Sequence, residues 1–330
     1  MECGGLSGSS GAENILESMS MKYVLWCLCL LLGACTEKSR DRFTDTPTTG
    51  VIPIAVDEGF EPILQQEADV FEGIYPSAGI VPRYCDEVEA VNLLLKDSVR
   101  LAVTTRRLTS RERQAIVERK FIPHEIKIAE DGIALIVNRR NRDSLFSVSD
   151  LQKIMTGEVS RWEQLHPGRE QGDIILVFDH PNSSTVRFAI DSICRGKTLS
   201  PRLRSEVSSV KVIDYVAATP GAIGVVGVSW LMNPEDSTRL SFLNRVKVAG
   251  ISRECPATKE NSFLPWQAFL ALGDYPLKRD VYVLLTDPRF GLASGFTSFL
   301  TSDRGQRIIL KSGILPATQP VRVVNVREEL

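Results

Sequence analysis

The sequence predicts an α/β protein of two lobes, each a mixed, mostly parallel sheet flanked by helices. Three observations carry that reading. From Val51 onward short apolar runs alternate with helical patterns, as parallel strands with helical crossovers do. The runs end in polar segments that open helices, and Asp86-Glu87-Val88-Glu89 and Thr109-Ser110-Arg111-Glu112 both have capping-box character. A chain of 330 residues, 43% hydrophobic, is long enough to bury a core in each lobe.

Taken in order, Val51 to Val56 (VIPIAV) reads as the first strand and Asp57-Glu58-Gly59-Phe60 as the loop after it. Glu61-Pro62 then opens a helix, with Pro at its first turn and Ile63, Leu64, Ala68 and Phe71 on one face. Gly79 to Tyr84 is the second strand and Val99 to Thr104 the third, with helices from Glu87 and from Ser110 to about Lys120. Lys127 to Asn138 is a longer apolar strand suited to crossing between lobes. Ser149 to Met155 is a short helix stopped by Gly157, and Asp173 to Phe178 a strand. The loop Asp179 to Thr185 enters a helix that buries Phe188, Ala189 and Ile193. Pro220 to Gly227 is a Gly-rich strand, Val281 to Leu285 crosses back, and Ser294 to Lys311 reads as one C-terminal helix.

Ahead of this pattern, Met21 to Cys35 carries one basic residue, an apolar run from Tyr23 to Leu32, and Leu32-Gly33-Ala34-Cys35. The run falls short of the about 20 apolar residues that a spanning helix needs, so it reads as a signal peptide. Its end resembles a bacterial lipobox, in which Cys35 is lipidated and becomes the first mature residue. Residues 1–34 are then leader, with 1–20 a start-site artefact, and 35–50 a tether from lipid to domain. Removing 1–34 deletes Glu2, Glu13, Glu17 and Lys22 and leaves equal numbers of positive and negative residues.

That balance excludes the basic field of a nucleic-acid binder. The three cysteines beyond the anchor, Cys85, Cys194 and Cys255, have no zinc spacing and leave room for one disulfide that the sequence does not assign. No GxSxG elbow, Walker loop, HExxH or GxGxxG follows a strand, which argues against an enzyme, a metal site or a cofactor.

Chemistry concentrates instead in two polar loops at the carboxyl ends of strands, the edge where open α/β sheets bind ligands. Ser183-Ser184-Thr185 opens a helix with Arg187 in its first turn, and free helix amides, hydroxyls and a guanidinium suit a tetrahedral oxyanion. Thr104-Thr105-Arg106 follows the third strand. Each loop by itself is more simply an N-cap beside a solvated arginine; two of them in different halves suit a cleft that closes on an anion.

Several fragments, in order and spacing, resemble the PstS-like phosphate-binding proteins of ABC importers, of the type II periplasmic binding-protein fold. They are Ala129 to Asn138, Ser149 to Trp162, Ser183-Ser184-Thr185, Gly221 to Trp230, Tyr275 to Arg279 and Gly305 to Pro316. The resemblance implies ligand contacts from the backbone of Gly59 and Phe60, from Thr105 and Arg106, and from Ser183, Ser184 and Thr185, with Arg187 adding charge. It also implies an ABC permease as partner, a membrane reached through the lipid anchor, a monomer, and a place on the outer side of a bacterial membrane. The chain departs from the family pattern where Asp57 and Glu58 replace hydroxyls, Asp179 replaces an arginine and Ser184 a glycine. The expected organisation is 51–128 plus 283–330 as lobe I and 129–282 as lobe II. Phosphate or a similar oxyanion is the expected ligand; a cationic or larger solute, or a scaffold role without a ligand, are the alternatives.

Overall fold

A computed structural model describes Met1 and residues 45–168, 172–231 and 244–319. The leader, Cys35, most of the tether and residues 320–330 lie outside the described residues. Among the described residues, no helix is long and apolar enough to cross a membrane.

In chain order the elements are β1 (Gly50–Asp57), α1 (Glu61–Ile74), β2 (Ala78–Cys85), α2 (Glu87–Leu95), β3 (Leu101–Thr104), α3 (Ser110–Glu118) and β4 (His124–Asn138). After these come β5 (Leu145–Ser147), α4 (Val148–Thr156), α5 (Trp162–Leu165), β6 (Ile175–Phe178), α6 (Ser184–Phe188), β7 (Arg204–Ser205), α7 (Ser209–Ala218) and β8 (Ala222–Gly227). The last part holds β9 (Val246–Val248), β10 (Gly250–Ser252), β11 (Ser262–Phe263), α8 (Gln267–Leu272), β12 (Lys278–Leu285), α9 (Leu292–Leu300), α10 (Asp303–Lys311) and β13 (Leu315–Pro316).

The main sheet runs β2-β1-β3-β12-β4-β8-β6-β7. Its first three strands are parallel, as βαβ crossovers through α1 and α2 require. Strand β12 enters antiparallel between β3 and β4, pairing with β3 over Tyr282–Leu285 and with β4 on both sides of a register shift between Val281 and Tyr282. The 15-residue β4 ties the two halves together: residues 124–132 pair with β12, and 133–137 pair with β8. The register of β4 with β12 shifts at Ile128, between the partners Lys127 and Ala129, and the strand carries the chain on from β12 to β8.

The cores follow the apolar patterning. Ile54, Val56, Leu64, Phe71, Phe296 and Leu300 are buried together in one cluster that continues to Val212 and Val216 of α7. Phe146, Trp162, Leu176, Phe178 and Tyr275 build a second cluster, and Val91, Leu94, Ile116 and Leu284 a third. A fully buried Leu or Phe side chain contributes about 2 kcal/mol, which is what holds these layers against chain entropy. Gly224 of β8 lets α7 come close: a Cβ there would meet Val212, Val216 and Ile136 at 2.8 to 2.9 Å.

Two details differ from the sequence expectations. The stretch Ser294 to Lys311 is not one helix: α9 ends at Leu300 and Ser302 caps α10, its hydroxyl accepting from the Gly305 amide. The segment after Ser208 forms a helix, α7, that the periodicity did not single out. All three cysteines beyond the anchor, Cys85, Cys194 and Cys255, are free.

Candidate functional site

The carboxyl ends of β1, β2 and β6 border a cavity of about 250 Å³ whose lining includes Asp57, Glu58, Tyr84, Asp86, Asp179 and Ser183. Each polar loop is placed by its strand and by the cap of the helix that follows. Asp57 closes β1 and its carboxylate accepts from the Gly59 amide at 2.9 Å, which tightens residues 58–60 into a single 3-10 turn. Ser183 caps α6, its hydroxyl accepting from the Val186 amide. Thr105, at the end of β3, is held by Glu87 at the start of α2.

Of the residues expected from the sequence, Thr105, Ser183, Ser184, Thr185 and Arg187 come together. Asp179, 3% exposed, accepts hydrogen bonds from the hydroxyls of Ser183 and Thr185. Glu87, 1% exposed, accepts from the amide and the hydroxyl of Thr105, each at 2.8 Å. Arg187 reaches the same Glu87 through Nε at 2.5 Å and donates from Nη2 to the Thr105 hydroxyl at 2.7 Å. Ser184 accepts at 2.7 Å from Nη1 of Arg279, which stands in β12.

Arg106 is placed differently. It forms a two-pronged ion pair with Glu112, at 2.7 and 2.8 Å, and Glu112 also closes the capping box of α3 with Thr109. The hydrogen bonds from Arg106 hold the Glu112 carboxyl down at about 2. Gly59 has both backbone groups engaged, its amide by Asp57 and its carbonyl by the Ser229 hydroxyl at 2.6 Å. Phe60 is buried under Arg279, whose guanidinium carbon lies 5.2 Å from the ring centre, a cation–π distance.

Arg279 is the charged side chain of this cluster that sequence reasoning did not single out. It is buried and pairs with Asp131 of β4 through Nε at 3.0 Å and Nη2 at 2.9 Å. It also touches Ser184, and its charge favours the ionised forms of Asp57, Asp131 and Asp179. The signal was an arginine at an inward position of an apolar strand, in step with Val281 and Val283. Glu87 was read as part of a cap; nothing in its local pattern shows that it would face Arg187, 100 positions away.

The electrostatics are dominated by carboxylates. Burial pushes Asp57 up to about 7 despite the pull of Arg279, and the charge of Glu87 adds to the rise. Burial likewise raises Glu58 to about 7, although its carboxylate accepts from the amide and hydroxyl of Ser209 at 3.0 and 2.9 Å. Asp179 is raised by burial against its two hydroxyl donors. Glu87 goes the other way: burial would raise it, but Arg187 and Thr105 together bring it below the usual carboxylate range. Among the described residues no cluster of His, Cys, Asp and Glu could hold a metal ion.

Comparison with known proteins bears on the fold. The chain is 24% identical over 276 residues to the phosphate-binding protein PstS of Bacillus subtilis, covering 82% of each. Its fold matches a candidate phosphate ABC transporter substrate-binding protein from Clostridium perfringens, solved with bound phosphate. The TM-score is 0.69 at 18% identity, over 82% of this chain and 100% of that one. An ABC-type phosphate transport receptor from Vibrio cholerae matches with a TM-score of 0.61 at 21% identity, over 81% of this chain and 100% of that one. These likenesses establish the two-lobed fold of type II expected from the sequence. Residues 43–304, most of the described chain, match the family described as the PBP superfamily domain, and the chain belongs to that family.

Proposed function

We propose that this protein is an extracytoplasmic solute-binding protein that captures phosphate or a similar oxyanion between two lobes and delivers it to an ABC permease. The lobes are 51–128 plus 283–330 and 129–282, and closure about their connecting segments is the working motion. The observation that carries the reading is the convergence of Ser183, Ser184 and Thr185 at the start of α6 with Thr105 from β3, bridged by Arg187. Hydroxyls, helix amides and guanidinium groups are the donors that a tetrahedral anion needs. The relatives above are named as phosphate-binding or substrate-binding proteins, not as enzymes, which supports binding without catalysis. Lipidation at Cys35 would hold the protein at the membrane surface beside its permease.

Calorimetric titration of the soluble form from Thr36 onward, freed of bound solute, tests this. Phosphate is expected to bind with micromolar or tighter affinity; a folded sample that takes up no phosphate would overturn the oxyanion assignment. A second reading, a cationic or larger solute, is favoured by one observation: Asp57, Glu58, Asp86 and Asp179 all line the cavity. Titration with small primary amines separates the two.

A further inference from the structure

The donors assembled for an oxyanion are not idle. Both hydroxyls that flank Ser184 donate to Asp179. Thr105 donates twice to Glu87, and Arg187 turns its Nε and Nη2 to the same carboxylate. Each carboxylate is buried, so each is held by these bonds rather than by water. A carboxylate has the charge and the acceptor oxygens of an oxyanion, and it satisfies the same donors.

We propose that Asp179 and Glu87 are built-in competitors of the ligand, specificity-determining residues that occupy the oxyanion's donors and set how tightly the site takes it. The inference rests on the oxyanion reading above. An entering phosphate must draw Ser183 and Thr185 from Asp179, or Arg187 and Thr105 from Glu87, and then lie beside the displaced negative charge. Displacement costs the bonds, and the remaining buried charge repels the ligand. The two competitors sit in different halves of the chain, Asp179 lining the cavity beside α6 and Glu87 at the start of α2 holding Thr105 and Arg187.

The test is phosphate titration of the purified protein, freed of bound solute, beside Glu87→Gln and Asp179→Asn. Both amides keep the shape and can still accept from the hydroxyls, but they remove the charge. Either variant is expected to bind phosphate at least about tenfold more tightly than the parent, including the case where parent binding is too weak to measure. Asp69→Asn removes one charge from the exposed face of α1 and is expected to leave affinity within about twofold, which separates donor competition from overall charge. Circular dichroism and a urea transition establish that each variant is folded. Folded variants that bind phosphate no more tightly than a parent that binds it would overturn the inference and leave the oxyanion reading standing. No phosphate binding by parent or variants would remove the oxyanion reading and the inference together.

Discussion

Arg187 of α6 and Glu87 of α2 lie 100 positions apart in sequence and meet with Nε and Oε2 at 2.5 Å. The contact joins the helix that opens with the serine and threonine hydroxyls to the helix that follows β2. It is reinforced by Thr105, which accepts from Arg187 and donates to Glu87. The Glu87 side chain is 2% exposed and that of Arg187 32%, so the acid depends on the base more than the base on the acid.

Arg187→Ala is therefore expected to destabilise the fold by about 2 kcal/mol, less than for a fully buried pair because Arg187 is partly solvated and Thr105 still serves Glu87. Urea unfolding with an unchanged slope would show it as a lower midpoint. The pH dependence has a definite sign. Burial opposes but Arg187 and Thr105 outweigh it, so Glu87 ionises in the folded state below its ordinary value of 4.5. The stabilisation it brings is complete above that value and is lost as pH falls through the lower, folded one. Arg187→Ala should shrink this loss at acid pH.

Arg279 has the larger structural weight. Its side chain is 3% exposed and that of Asp131 is fully buried, so Arg279→Ala leaves an uncompensated carboxyl between β12 and β4. The expected cost is about 3–5 kcal/mol, and Arg279→Lys, which keeps charge but loses the second prong to Ser184 or Asp131, should recover part of it. Equal midpoints for the alanine and lysine variants would show that charge at this position matters little.

These two pairs mark what the sequence could and could not reveal. Strands β1, β2, β4, β6 and β8 were legible because their runs are apolar and bounded by caps or glycines, features that act within a few residues. The loops at Thr105 and Ser183 were legible for the same reason. Partners were not: Arg106 sits two residues past β3 as expected, yet Glu112, one helical turn into α3, holds it. Glu87 and Arg279 reach the site from other strands and helices, and which of them meet is decided by sheet order, with β12 inserted between β3 and β4. The break at Ser302 was missed because only Thr301 and Ser302 separate α9 from α10, and only the cap marks the boundary.

That cap gives a local prediction. The Ser302 hydroxyl accepts from the Gly305 amide and also donates to the Phe299 carbonyl at 2.6 Å, serving the end of one helix and the start of the next. Ser302→Ala is expected to cost about 1 kcal/mol, and Ser302→Asp, which can still cap but cannot donate to Phe299, should recover only part of it. Thermal unfolding of the three proteins at neutral pH ranks them.

Glu67 offers a change that should stabilise. It lies on the inward stripe of α1 with Ile63, Leu64 and Phe71, is fully buried, and neither carboxyl oxygen has a hydrogen-bond partner among the described residues. Burial alone pushes it up to about 9, so it is protonated in the fold at neutral pH. A neutral carboxyl without a partner still costs about 1–3 kcal/mol relative to an apolar group of similar shape, and Glu67→Met should recover that much. The sign with pH follows from the raised value. Between 4.5 and about 9 the folded protein binds a proton that the unfolded chain has released, so stability falls as pH rises through that window and levels off above it. Asp57 and Glu58 act in the same sense up to about 7, which makes the parent's own curve a sum of several groups. The difference between parent and Glu67→Met isolates this one: the variant's advantage in urea should widen steadily from pH 5 to pH 9. An advantage that stays constant over that range would mean that Glu67 does not hold its proton in the fold.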